Sequence, residues 1–375
     1  MKIKGVNLGN WLVLEKWMNR ALFDGTDAED EYYLPRRLPK EVYEARIQTH
    51  RSEYITERDF AHIRAMGLNA VRIPVPYFIF GDREPFLGCV NELDKAFSWA
   101  EKYGLKILID LHTAPGGQNG FDNGGICGVC KWSQLPEEVS FVLSVLERLA
   151  KRYGNREALW GIEILNEPIL EQNWEKMNVQ ARYIPVDQEM AAGSNGHPMN
   201  FMRQFYMDAY DTLRSNMPAD KYVVFHDCFE LFLWKDFMRE EKYRNVVLDT
   251  HLYLMGPDEL GCEWTADAYA AKIREYYGNA VAEMQQYFPV VVGEWCLSNA
   301  LCTREREALL SPEERKSTYQ KIAKAQLDAW SNGEGYFFWS YKLLLDMTNR
   351  SDEAGSESWD MDRCLDLNWL PKEWL

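Results

Sequence analysis

Gly161-Ile162-Glu163-Ile164-Leu165-Asn166-Glu167-Pro168 is a short apolar run halted by an amide, a carboxylate and a proline. It reads as a buried parallel strand, since strands covered on both faces lose the polar alternation of a half-exposed one. Pro168 ends it because its nitrogen has no hydrogen to give the ladder. Glu167 is thereby expected at the strand's C-terminal mouth, where a parallel barrel keeps its chemistry. Val290-Val291-Val292-Gly293-Glu294-Trp295 repeats the arrangement much later, with Glu294 in the corresponding place. Two carboxylates at two strand ends invite a common use.

On either side of that stretch, apolar runs of strand length occur at 3–8, 69–75, 105–111, 159–165, 221–226, 246–252, 289–293 and 335–340. Amphipathic stretches of helical length lie at 53–66, 91–103, 137–153, 199–216, 265–287 and 312–331. Strands alternating with helices imply a parallel sheet with right-handed crossovers. Eight strands in 375 residues favour a closed (β/α)8 TIM barrel, read as one catalytic domain over 1–375. A doubly wound open sheet is the rival, but no GxGxxG or GxxxxGK[ST] follows any strand. Three stretches after strands, roughly 16–50, 113–136 and 168–198, read as long loops at the C-terminal face. Loops of such length usually wall or cover a site.

Composition narrows the partners. The chain carries 58 acidic and 42 basic residues, a net charge of −16, which disfavours nucleic acid and anionic membrane surfaces. No apolar stretch reaches the roughly 20 residues of a spanning helix. Strand-like sequence from Ile3 leaves no room for a secretion signal, so a cytoplasmic protein is expected. Aromatic residues make up 14% of the chain, including 14 tryptophans; they fit either a large core or the stacking faces that sugar rings use. Eight cysteines do not form a disulfide framework, and Cys127-Gly-Val-Cys130 lacks the second pair a zinc site needs, so free thiols are expected. Oligomeric state is not legible, and a monomer is the default expectation.

The strand ends are rich in polar groups. The first leads into Asn7 and on to Glu15; the second carries Arg72; the third ends Asp110-Leu111-His112 and the fourth Asn166-Glu167. Next come His226-Asp227, His251-Leu252-Tyr253, Glu294-Trp295 and Trp339-Ser340. Taken singly, Arg72 reads equally as a structural ion-pair partner, and His112 or His251 as a satisfied core histidine. Burying so many polar groups costs several kcal/mol unless they are paired, so one shared polar site accounts for them together. Chemistry that needs two carboxylates and no metal is glycoside hydrolysis. In retaining enzymes the pair stands about 5–5.5 Å apart; inverting ones are wider, with room for a water. Glu167 is expected to be the acid/base and Glu294 the nucleophile, with Arg72 the cation beside Glu294 and Tyr253 a hydrogen-bond donor to it. Asn166 offers an amide to a sugar 2-hydroxyl, and Trp339 a stacking floor. His112 and His251 lack metalloenzyme spacing, so neither metal nor cofactor is expected.

In order and type, Arg72, His112, Asn166-Glu167, His251-x-Tyr253, Glu294 and Trp339 resemble glycoside hydrolase family 5 of clan A. Three stretches narrow the resemblance to the exo-β-1,3-glucanases: Gly5–Glu15, Val71–Val75, and Asp110–His112 continuing through Ala114–Asn123. The resemblance implies that Glu15 and Asp122 hold hydroxyls of a terminal glucose and that Phe121 lies at a pocket entrance. It implies an exo-acting β-glucosidase whose partner is a β-linked glucosyl oligosaccharide or a glucoside. Family alternatives are an endo-β-glucanase, a β-mannosidase or a diglycosidase, and outside catalysis a carbohydrate-binding barrel. The fungal members are secreted and disulfide-bonded, unlike the reading here. The 168–198 stretch, with Trp174, Tyr183 and His197, looks longer than theirs, and the Cys127–Cys130 loop reads as this chain's own.

Overall fold

Eight parallel strands hydrogen-bond in chain order and close into a barrel in the computed structural model of the chain. They are β1 (Ile3–Asn7), β2 (Ala70–Val75), β3 (Lys106–Leu111), β4 (Leu159–Glu163), β5 (Tyr222–His226), β6 (Val246–His251), β7 (Val290–Glu294) and β8 (Gly335–Phe338). Residues 2–303, 306, 309–345 and 356–375 are described. The expected TIM barrel is therefore present, with each strand inside or within a residue of the run that announced it. Ladder bonds outlast β4: Ile164 N–H donates to Val224 O and Asn166 N–H to Leu111 O, both at 2.9 Å. The backbone is thus held right up to Glu167.

Helices cover the strands because each presents an apolar stripe. Val90–Tyr103 buries Leu93, Ala96, Phe97 and Ala100, and it stops at Gly104, whose left-handed φ of 67° a β-carbon would strain. Pro136–Tyr153 buries Val142, Val145, Leu146 and Leu149 on the same spacing. Ala266–Met284 and Pro312–Trp330 begin on Thr265 and Ser311, whose hydroxyls accept from Ala268 N–H and Glu314 N–H.

The 16–50 stretch is not a long loop. It contains a turn of helix at Leu34–Arg37 and a helix over Lys40–Tyr54. That helix escapes an apolar reading because its buried face is Tyr43, Ile47, His50, Arg51 and Tyr54, two of them polar. A break at Ile55 separates it from Glu57–Ala65, which occupies the 53–66 stretch. The 168–198 stretch holds short helices at Glu171–Lys176, Val179–Arg182 and Gln188–Ala191, and a Leu170–His197 bridge ties its ends. β5 reaches β6 through one 3-10 turn, Leu231–Trp234, with no full helix.

The residues form two compact units. The first comprises 1–8, 62–72 and 248–375, and its ladders join β1 to β2 and β8, and β7 to β6 and β8. Phe337 of β8 lies over Gly5 of β1, where a β-carbon would stand 2.3 Å from the ring. The second comprises 9–61 and 73–247, with β4 between β3 and β5. Much of the aromatic content is core: Trp11, Trp132, Trp234, Trp295 and Trp330 are fully buried. All eight cysteines are free thiols, Cys127 and Cys130 included. No helix among the described residues is long and apolar enough to cross a membrane.

Candidate active site

The first unit builds its cluster around Glu294 at the end of β7. Arg72, in the middle of β2 and fully buried, sends Nη1 to Glu294 Oε1 at 3.0 Å and to Asn7 Oδ1 at 3.0 Å. Asn7 at the end of β1 in turn donates Nδ2 to Gly293 O at 2.8 Å. Tyr253, two residues beyond β6, donates its hydroxyl to Glu294 Oε2 at 2.8 Å. The β6–β7 register shifts between Thr250 and His251, setting His251 beside Glu294. Such a bulge re-aims a side chain, and His251 Nδ1 lies 3.6 Å from Glu294 Oε2. Asp249 closes the group, with Oδ2 at 3.6 Å from His251 Nε2 and 3.9 Å from Arg72 Nε. A buried carboxylate that accepts charge-assisted bonds from a guanidinium and a phenol is stabilised as the anion. Trp339 follows β8, bonded through its N–H to Trp295 O at 2.7 Å and joined to Ser340 by a cis peptide; only 3% of it is exposed.

The second unit builds a cluster around Glu167. The residue has a φ of 46°, a left-handed backbone directly before Pro168. Asn123 donates Nδ2 to Glu167 Oε2 at 2.7 Å and is itself held by Asn119 Nδ2 on its Oδ1 at 3.0 Å. A ring nitrogen of His226 lies within 4.8 Å of a Glu167 oxygen. Asp122, next to Asn123, has its carboxyl held above the ordinary range, chiefly by burial and further by the charge of Glu167.

Asp110 and His112 form a buried relay toward Asn166. Asp110 Oδ2 is 2.5 Å from His112 Nδ1, which places the imidazole proton there and leaves Nε2 to accept from Asn166 Nδ2 at 3.4 Å. Gln118 braces this relay, donating Nε2 to His112 O at 2.8 Å and to Asn166 O at 3.1 Å. His197, buried and pushed down to about 4 by its burial, contacts Gln118 O at 2.8 Å. Phe121 sits in an aromatic group with Tyr183 at 5.1 Å and Phe229 at 5.9 Å between ring centroids. Glu15 is 4% exposed, taking a bond from the Trp17 indole at 2.8 Å.

Within one unit, then, the expected Arg72, His251, Tyr253 and Glu294 meet. Within the other, His112 meets Asn166, and Asp122 comes near Glu167. Asn123, Asp249 and Trp17 were not singled out from sequence, and Asn7 only as a polar strand end. Asp249, an acid inside the strand Val246–His251, carried a readable signal; Asn123 and Trp17 depend on loop paths that periodicity does not describe.

Residues 40–341 match the family model described as cellulase (glycosyl hydrolase family 5). The chain is 33% identical to a glucan 1,3-beta-glucosidase of Candida oleophila, over 99% of this chain and 89% of that protein. It is 32% identical to the glucan 1,3-beta-glucosidase of Schwanniomyces occidentalis, over 91% of this chain and 83% of the relative. Among solved structures, rutinosidase from Aspergillus niger superposes with a TM-score of 0.73 at 21% identity, covering 98% of both chains, a likeness of fold.

Proposed function

The chain belongs to glycosyl hydrolase family 5, and from that membership we propose that it is a retaining β-glycosidase removing glucose from the ends of β-1,3-linked oligosaccharides or from β-glucosides. In this reading Glu294 attacks the anomeric carbon while Glu167 protonates the departing oxygen. A glycosyl-enzyme ester forms at Glu294 and the glycosidic bond breaks. Glu167, now a carboxylate, takes a proton from water, which opens the ester and frees Glu294.

The observation that carries the reading is the setting of Glu294. Arg72 and Tyr253 bond its two oxygens at 3.0 and 2.8 Å, orienting a carboxylate as a nucleophile must be oriented. Asn123 plays the positioning part for Glu167. The glucosidic and exo-acting preference rests on relatives named glucan 1,3-beta-glucosidase, which align over most of the chain.

The test uses Glu167→Gln and Glu294→Gln on aryl β-glucosides, with products from laminarin followed in time. Loss of general acid/base help should cost about 10²–10⁴-fold, least for a good leaving group that needs little protonation. A 2-fluoroglucoside should label Glu294, and released glucose should first appear with retained configuration. Near wild-type rates in either variant would remove the roles, and an early ladder of oligomers would remove the exo reading.

A further inference from the structure

The second unit contains a pocket of about 450 Å³, in the range of about 300–1,000 Å³ usual for small-molecule sites, that continues from Asp122 away from Glu167. Trp17 and Tyr183 give it aromatic walls, and Lys16, Arg20 and Arg182 line it together with Glu29 and Asp122. Three cations against two carboxylates leave this lining at +1, in a chain whose net charge is −16. Lys16 is matched internally, with Nζ 2.8 Å from Glu29 Oε1 and 3.0 Å from Ala28 O. The guanidinium of Arg182 lies 5.4 Å from the Tyr183 ring centroid, and its charge weakly opposes the rise of the Asp122 carboxyl.

The pocket's position is as telling as its charge. The indole of Trp17 donates to Glu15 at 2.8 Å, and Asn123, the neighbour of Asp122, donates to Glu167 at 2.7 Å. A sugar held at Glu167 therefore has this pocket beside it, past Asp122. Neutral hydroxyls need only carboxylates and amides, which the site already supplies. A guanidinium fork beside an aromatic face, as Arg182 stands beside Tyr183, matches the planar or tetrahedral oxygens of an anion.

We propose that this pocket binds an anionic group, a carboxylate or a phosphate, carried by the sugar whose glycosidic bond is cut. The proposal rests on the glycosidase reading for its sugar and on the pocket lining for its charge. It narrows the β-glucosides of that reading to those that also carry an acidic group.

The experiment compares kcat/KM for 4-nitrophenyl β-glucoside, its 6-phosphate and 4-nitrophenyl β-glucuronide, using the full chain at low salt. At least one anionic substrate should exceed the neutral one by about tenfold, the scale of one charge-assisted bond. Arg20→Ala and Arg182→Ala should each lower that ratio several-fold, and Arg182→Lys should restore part of it. The phosphate and glucuronide arms distinguish the two sources of charge. A ratio at or below one for both, or a ratio unmoved by either substitution, overturns the proposal. If no aryl glycoside is cleaved, the glycosidase reading fails on its own. Calorimetry with glucose 6-phosphate and glucuronate against glucose then decides the pocket. Binding of an anion over glucose that Arg182→Ala weakens upholds it, and equal or absent binding overturns it.

Discussion

A β-carbon on Gly293 would stand 2.0 Å from Asp249 Oδ2 and 2.3 Å from Oδ1, so the carboxylate occupies the space a side chain would fill. Asp249 Oδ1 accepts the Gly293 N–H at 2.7 Å, while Oδ2 faces His251 and Arg72. Gly293→Ala must displace this acid and disturb both Arg72 and His251 beside Glu294. Overpacking of this kind costs roughly 1–3 kcal/mol. Urea unfolding should show that loss, and kcat should fall more than tenfold; a variant equal to its parent in both would contradict the assignment.

Tyr253→Phe deletes one hydroxyl and leaves the ring, whose centroid is 5.1 Å from that of Trp359. The lost bond is charge-assisted, about 1.5–3 kcal/mol, or roughly 10–150-fold in rate. Steady-state kinetics on an aryl glucoside should show this mainly in kcat, with the melting temperature nearly unchanged. An unchanged kcat would mean the phenol does not serve Glu294 during turnover.

Left-handed backbone costs an L residue about 1–2 kcal/mol, and Glu167 adopts it with a φ of 46°. Glu167→Gly relieves that cost and Glu167→Ala does not, though both remove the carboxyl. The glycine variant should therefore be the more stable of the two by about 1 kcal/mol in denaturant titration. Equal stability would show that the conformation carries no such cost.

Buried acids set a pH dependence separate from catalysis. Burial raises Glu31 to about 7 from 4.5, against the opposing pull of Arg51. The folded state then holds more protons than the unfolded one between those values, so this group's contribution is fully present below 4.5 and is lost as pH rises through 7. Its span is of the order of 3 kcal/mol. Glu31→Gln keeps an acceptor for Leu14 N–H, now at 3.1 Å, and cannot ionise. Stability measured from pH 4.5 to 7 should fall less steeply in the variant than in the parent, and parallel curves would refute the shift. His50 and His197, both lowered to about 4 from 6.5, act with the opposite sign, and the substitution leaves their part unchanged.

Why the barrel is so readable follows from its parallel strands. Each is buried on both faces, so Val290–Val292 or Ile107–Ile109 stands out as a continuous apolar run without any periodicity analysis. The Lys40–Tyr54 helix fails the same test because His50 and Arg51 face inward, with His50 on Asn10 O and Arg51 on Leu87 O and Gly88 O. Site residues follow the same division. Arg72, Glu294 and Tyr253 sit on or next to strands, where position along the chain fixes position in space. Asn123 reaches Glu167 only through the turn held by Asn119, and Trp17 reaches Glu15 only through the path of its loop. Neither path has a repeat to reveal it.

The surroundings of Glu294 also impose an order of assembly during synthesis. Asn7 and Arg72 emerge early, Tyr253 and Glu294 late, and β1 takes β8 as a ladder partner. At about 5–20 residues per second, the first strand leaves the ribosome tens of seconds before that partner exists. An unpaired strand edge held open so long is a template for wrong pairing. The nucleophile thus receives its cation only after a further 222 residues have been made.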